Sequence, residues 1–235
     1  IMGLNTKIQE TLMYQSRLLL KHISVETASE RSLLFTIRTD KVSDHEHFKR
    51  AIYQKTHRVL YGAISAPNNF TYSMMIAGDV ECSKTGTVSL ETLKNPYEPH
   101  YHGVMVFSKS DWCRIEPNLS EVIGRIKSAI YDIREVKNPL IDDDGVCTWD
   151  TIWIEKFKES TKPRHKFSSS FLNYINYIFK ADYHAQKHGI QSYVPSVFPH
   201  DLYPPKDKSS SAEPLFNQLC LVEEAFQQKR EKCLN

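Results

Sequence analysis

Four short runs rich in β-branched and aromatic residues, spaced by two longer stretches of helical periodicity, limit this chain to a sheet with helices packed against it. The runs lie at 32–38, 70–80, 100–107 and 146–157. Between the first two, Asp44 is placed to cap a helix that carries Phe48, Ile52, Val59 and Leu60 on one face and ends near Gly62. Between the last two, Asn118 or Ser120 opens a helix with Val122, Ile123, Ile126, Ile130 and Ile133 along one stripe. The polar stretch 82–98, with Gly86, Asn95 and Pro96, reads as a long hairpin connection.

The flanks are helical or extended. Ile8, Leu12, Leu18 and Leu19 give an amphipathic helix over 5–22, and serines 168–170 precede another through Tyr174, Tyr177 and Lys180. Pro195, Pro199, Pro204, Pro205 and serines 209–211 mark an extended linker before a last amphipathic helix over 213–232. The expected fold class is α+β: a central antiparallel β-sheet flanked by helices, in β-α-β-β-α-β order, with a helical C-terminal tail. The expected divisions are an N-terminal helix over 1–31, a core domain over 32–190, and a Pro/Ser-rich linker and helix over 191–235.

Several function classes drop out. No Gly-x-x-x-x-Gly-Lys-Ser/Thr sequence occurs, so no P-loop motor is expected. Apolar runs are too short to span a bilayer, and residues 1–5 lack the plan of a signal peptide, so no membrane partner is expected. Five widely spaced cysteines suit neither a disulfide framework nor a paired-cysteine zinc site. A net charge of +2 does not by itself announce a nucleic-acid binder. Charge is uneven, though: Lys156, Lys158, Lys162, Arg164, His165 and Lys166 form a basic stretch suited to phosphates.

The chemistry gathers around Pro99-His100-Tyr101-His102. On a strand, His100 and His102 point to the same sheet face and Tyr101 to the other, so two imidazoles make half of a metal site. Spacing alone is weak evidence. His45 and His47 match it at a helix start, where residues two apart diverge. Acidic neighbours strengthen the reading, because Mg²⁺ or Mn²⁺ requires at least one oxygen ligand. Antiparallel pairing of the strand ending at Glu81 with the one starting at His100 sets Glu81 opposite His100 and Asp79 opposite His102. Glu81 is the first choice for third ligand and Asp79 the second, with Glu91 and Glu98 as looser options. Downstream, Tyr177 and Lys180 share a helix face. A phenol near an ammonium and a divalent cation is favoured as phenolate, and so as a nucleophile.

Residues 98–107 (Glu-Pro-His-Tyr-His-Gly-Val-Met-Val-Phe) resemble the His-hydrophobe-His motif of rolling-circle replication initiators from small circular DNA viruses and plasmids. Tyr177-Ile178-Phe179-Lys180 is similar to their Tyr-x-x-Lys motif, and Leu34-Phe35-Thr36-Ile37-Arg38 to their first motif, a strand that helps recognise DNA. The three stand in the family's order over roughly residues 32–185. The resemblance implies the HUH endonuclease fold, with an RRM-like core, over 32–190. It implies Tyr177 as the single nucleophile, Lys180 beside it, and His100, His102 and Glu81 around Mg²⁺ or Mn²⁺. Thr36, Arg38, Lys162, Arg164, Lys166 and Tyr174 become DNA contacts.

The activity expected is site-specific nicking and joining of single-stranded DNA through a 5′-phosphotyrosine link, initiating rolling-circle replication. The partners expected are a single-stranded origin, often a hairpin, with a host helicase and polymerase, and an oligomer is compatible. The compartment expected is a bacterial cytoplasm, or a host nucleus for a viral initiator. A relaxase and a single-strand transposase share the chemistry. A non-catalytic DNA-binding initiator and a zinc-stabilised interaction domain are rivals from other classes.

Overall fold

Ser32–Arg38 forms strand β1, as its apolar run predicts, central in the sheet, with Leu33, Phe35 and Ile37 buried on one face and Leu34 buried beside half-buried Thr36 and Arg38 on the other. The computed structural model describes residues 25–40, 42, 44–62, 72–81, 97–158, 171, 174, 178 and 196–198, with backbone alone for 25–27, 80, 81 and 97–99. The expected helices over 5–22 and 213–232 and most of the 82–98 connection lie outside the described residues.

Helix α1 (Val25–Glu30) leads into β1, and α2 (His45–Tyr61) follows it. Asp44 caps α2 by accepting from the His47 N–H at 2.9 Å, a bond of the kind worth about 1 kcal/mol. Gly62 ends α2 at φ 81°, a left-handed geometry that suits glycine, while its N–H donates to the Arg58 carbonyl. Strands β2 (Tyr72–Glu81) and β3 (Tyr97–Phe107) come next, then α3 (Lys109–Ile115), a 3₁₀ turn (Glu116–Asn118) and α4 (Leu119–Tyr131). A two-stranded hairpin, β4 (Leu140–Ile141) with β5 (Cys147–Trp149), precedes β6 (Ile152–Lys156). Last is β7 (Ser196–Phe198).

The main sheet runs β6-β1-β3-β2-β7, with every neighbouring pair antiparallel. β1 and β2 therefore point the same way with β3 between them, and a connection of that kind needs a crossover, supplied by α2. One sheet face carries Leu33, Phe35, Ile37, Met74, Ile76, Tyr101, Met105 and Ile152 into a core with Phe48 and Ile52 of α2 and Ile126 and Ile130 of α4. Full burial of each such side chain contributes about 1.5–3 kcal/mol. Gly103 sits in this face for a steric reason. A Cβ there would lie 2.0 Å from Cζ of Phe35, whose ring crosses β3 at that point.

The second face is also buried where Met75, Val104 and Val106 meet. Phe171, Tyr174 and Ile178 are helical and spaced to share one side of that helix. Phe171 packs edge-on against Phe157, and the Tyr174 hydroxyl donates to the Gly103 carbonyl at 3.4 Å.

Three expectations change. The 146–157 run is two strands, β5 and β6, because Asp150 turns the chain between them and its carboxylate accepts from the Ile152 N–H. Residues 196–198 are not part of an extended linker: they pair with Met74, Met75 and Ile76 of β2 as an edge strand between two prolines. Helix α3 is additional. Ser108 caps it by accepting from the Asp111 N–H at 3.3 Å.

Candidate metal centre

The β2–β3 register decides which side chains meet on the second face. Asp79 stands opposite His100 and Ala77 opposite His102, while Glu81 stands opposite Tyr97. The pairing slips between Asp79 and Glu81. This corrects the expected register, in which Glu81 faced His100. The observed register is displaced from it by two residues, which keeps Asp79 on the face of the histidines, and the slip beyond Asp79 only moves Glu81 on to Tyr97. Asp79, the second choice from sequence, thus becomes the third member of the cluster. The side chain of Glu81 lies outside the described residues.

Ligand atoms of Asp79, His100 and His102 all lie within 4.8 Å of one another. Nε2 of His100 and Nε2 of His102 are 2.9 Å apart, with the two rings perpendicular. Two ligands at right angles and about 2.1 Å from one ion stand about 3.0 Å apart, so the imidazole pair has the spacing of an octahedral edge. Oδ2 of Asp79 is 3.9 Å from His100 Nε2, within the span that two ligands of one ion can cover. All three residues are buried. Burying a carboxylate is costly unless its charge is compensated, and a divalent cation does so. The donor set therefore fits a divalent ion. It suits Mn²⁺, Zn²⁺ or Fe²⁺ alike, so by itself it names no reaction.

The surroundings hold the rings in place. Oγ1 of Thr36 lies 3.0 Å from Nδ1 of His102, on the far side of that ring from His100. Tyr101, between the two histidines, points through to the helix-packed face as expected. There its hydroxyl is hydrogen-bonded to Nδ1 of His45, and its ring lies 4.6 Å from that of Phe48. Sequence reasoning used His45 only as a comparison for spacing; in the fold it anchors the residue that separates the ligands. Burial and then the Lys49 ammonium lower the pKa of His45, which favours its neutral ring.

The expected DNA contacts divide. Thr36 turns its hydroxyl to His102. Arg38 stands opposite His100 and stacks its guanidinium 4.4 Å over the ring of Trp149. Tyr174 reaches β3 at Gly103, next to His102. Lys162, Arg164, Lys166, Tyr177 and Lys180 lie outside the described residues.

Among the described residues no helix is long and apolar enough to cross a membrane. No protein-family model, curated protein or solved structure matches the chain.

Proposed function

We propose that this chain is a metal-dependent endonuclease of the HUH type, which nicks and rejoins single-stranded DNA at a replication origin. The observation that carries the reading is the Asp79–His100–His102 cluster, two imidazoles and a carboxylate within 4.8 Å of one another on one sheet face. Two further features support it. The strand order β6-β1-β3-β2 with α2 as crossover agrees with the RRM-like core of that fold. Tyr174, which precedes Tyr177 by three residues, extends its hydroxyl to the strand that bears both histidines.

Asp79, His100 and His102 would hold Mg²⁺ or Mn²⁺. When bound, the ion supplies Lewis-acid polarisation of the scissile phosphate. Thr36 keeps His102 turned with Nε2 toward the centre. Tyr177 loses its phenolic proton and attacks the phosphorus in line. The Tyr177 Oη–phosphorus bond forms, the bond from phosphorus to the 3′ oxygen breaks, and that oxygen leaves with the electron pair and takes up a proton. Lys180 offsets negative charge on the phenolate and the phosphate. Reversal of the same step reseals the strand without ATP, because the phosphodiester is exchanged rather than hydrolysed. The free 3′ hydroxyl primes synthesis by a host polymerase, and strand separation is left to a host helicase.

The test uses a pool of random-sequence single-stranded oligonucleotides labelled at the 3′ end, with Mn²⁺. The wild-type chain acquires a covalent label that survives denaturation, whereas Tyr177→Phe and an EDTA-treated sample do not. Undiminished labelling of Tyr177→Phe removes Tyr177 as the nucleophile.

A further inference from the structure

The described surface has one concentration of exposed aromatic area, and it lies beside the metal centre. Trp149 and Trp153 are 46% and 41% exposed, whereas Trp112, the third tryptophan of the chain, is buried. Trp153 of β6 stands opposite Thr36 of β1, which stands opposite His102 of β3. Residues directly opposite one another share a sheet face. Trp153 is therefore on the face of the metal cluster, two strand spacings from His102, or about 10 Å. In the next row, Arg38 stands opposite His100, and its guanidinium covers the ring of Trp149. The two indoles thus border the cluster along one side.

The junction between them is hydrogen-bonded to the body of the fold. Asp150, between β5 and β6, accepts from Lys127 Nζ at 2.5 Å, from the Tyr131 hydroxyl at 2.6 Å and from the Ile152 N–H at 2.9 Å. The first two bonds tie the junction bearing both tryptophans to α4. At the far end of the hairpin, Asp142 accepts from the N–H groups of Asp144 and Val146 and fixes the tip. Aromatic rings held in place before a ligand arrives lose little entropy when it binds.

We infer that Trp149 and Trp153, with Arg38, form a stacking platform for unpaired bases of single-stranded DNA flanking the scissile phosphate. This rests on the nuclease reading of the adjacent cluster. Every base offers a π-face, so the platform takes bases without regard to sequence. The Arg38 guanidinium adds positive charge next to the indoles and meets the phosphate backbone or a base plane. Aspartates 142, 143 and 144 at the hairpin tip repel phosphates, so the backbone runs on the Arg38 side. A protein partner is the competing occupant. It would draw on Leu140, Ile141 and Val146, the exposed aliphatic residues of the same hairpin.

The experiment measures oligo(dT) binding to the full chain in EDTA, by tryptophan quenching and by anisotropy of a labelled strand. Binding should quench the two exposed indoles. Trp149→Ala and Trp153→Ala should each weaken affinity by roughly 5- to 100-fold, the effect of losing one base stack. Phenylalanine at either position should restore most of it, and Leu140→Ser with Ile141→Ser should leave it unchanged. In the double tryptophan variant, which retains only Trp112, quenching should vanish. The platform is overturned if that variant binds oligo(dT) as tightly as wild type, or if wild type binds none. It is also overturned if sedimentation shows the indoles consumed in a dimer that Trp149→Ala dissociates. Covalent labelling with unchanged affinity of the double variant would sink the platform and leave the nuclease. Stacking without covalent labelling under any divalent metal would do the reverse.

Discussion

The hydroxyl of Thr36 lies 3.0 Å from Nδ1 of His102, so the ring presents its other nitrogen, Nε2, to His100 and the centre of the metal cluster. Once the Nε2 lone pair is given to an ion, Nδ1 carries the proton and donates to Thr36. Partners of this kind set both the tautomer and the orientation of a ligand. Replacing Thr36 by valine, nearly the same in shape but without the oxygen, should weaken Mn²⁺ binding about 10- to 100-fold. Thr36→Ser should restore it. Calorimetric titration of the three proteins gives the comparison, and equal affinities would show that His102 needs no such support.

Gly103 follows His102 and admits no side chain. A Cβ would lie 2.0 Å from Phe35 Cζ and 2.5 Å from the Met75 carbonyl oxygen. The ring is a side chain and can be displaced at some cost, but the carbonyl belongs to the backbone of the neighbouring strand. Gly103→Ala is expected to destabilise the fold by about 1–3 kcal/mol through overpacking, read as a lower urea midpoint. A midpoint equal to that of wild type would mean that β3 is free to move away from β2.

His57 is buried in α2 among Tyr53, Tyr61 and Tyr72, and neither ring nitrogen has a hydrogen-bond partner among the described residues. Burial lowers its pKa from the ordinary 6.5. Between the folded and unfolded pKa values the unfolded chain binds more protons, so stability rises with pH there. The neutral ring's contribution is complete above about pH 6.5 and is lost as pH falls toward the folded value. Metal-free urea melts from neutral to mildly acid pH should show that decline, with a shallower slope in His57→Phe. His45, whose pKa is also lowered, works in the same direction and leaves a residual slope.

Much of this was legible before the fold. Local signals specified β1, α2 with its Asp44 cap and Gly62 stop, and the division of His100 and His102 from Tyr101 across β3. The third ligand was not, because it depends on register. The residues joining β2 to β3 carry no compact turn signature, so the register is free to lie two residues away: Asp79 stands opposite His100, and the slip beyond it leaves Glu81 opposite Tyr97. Helix α3 was not expected, although Ser108 with an acid three residues on, Asp111, is a cap pattern that marks its start. The three-residue β7 left no such mark. Pro195 and Pro199 argue for a linker, and only pairing with β2 makes 196–198 a strand. Residues 146–157 read as one strand, and only the turn at Asp150 divides them and sets Trp149 and Trp153 on separate strands.

The central claim is that Asp79, His100 and His102 bind one divalent ion, and pulsed EPR of the chain titrated with Mn²⁺ tests it most directly. The account predicts one bound Mn²⁺ with two directly coordinated imidazole nitrogens. Binding should be lost in His100→Ala, His102→Ala and Asp79→Asn and retained in Glu81→Gln. Absence of nitrogen coupling, or Mn²⁺ binding undiminished in Asp79→Asn and the histidine variants, would contradict it.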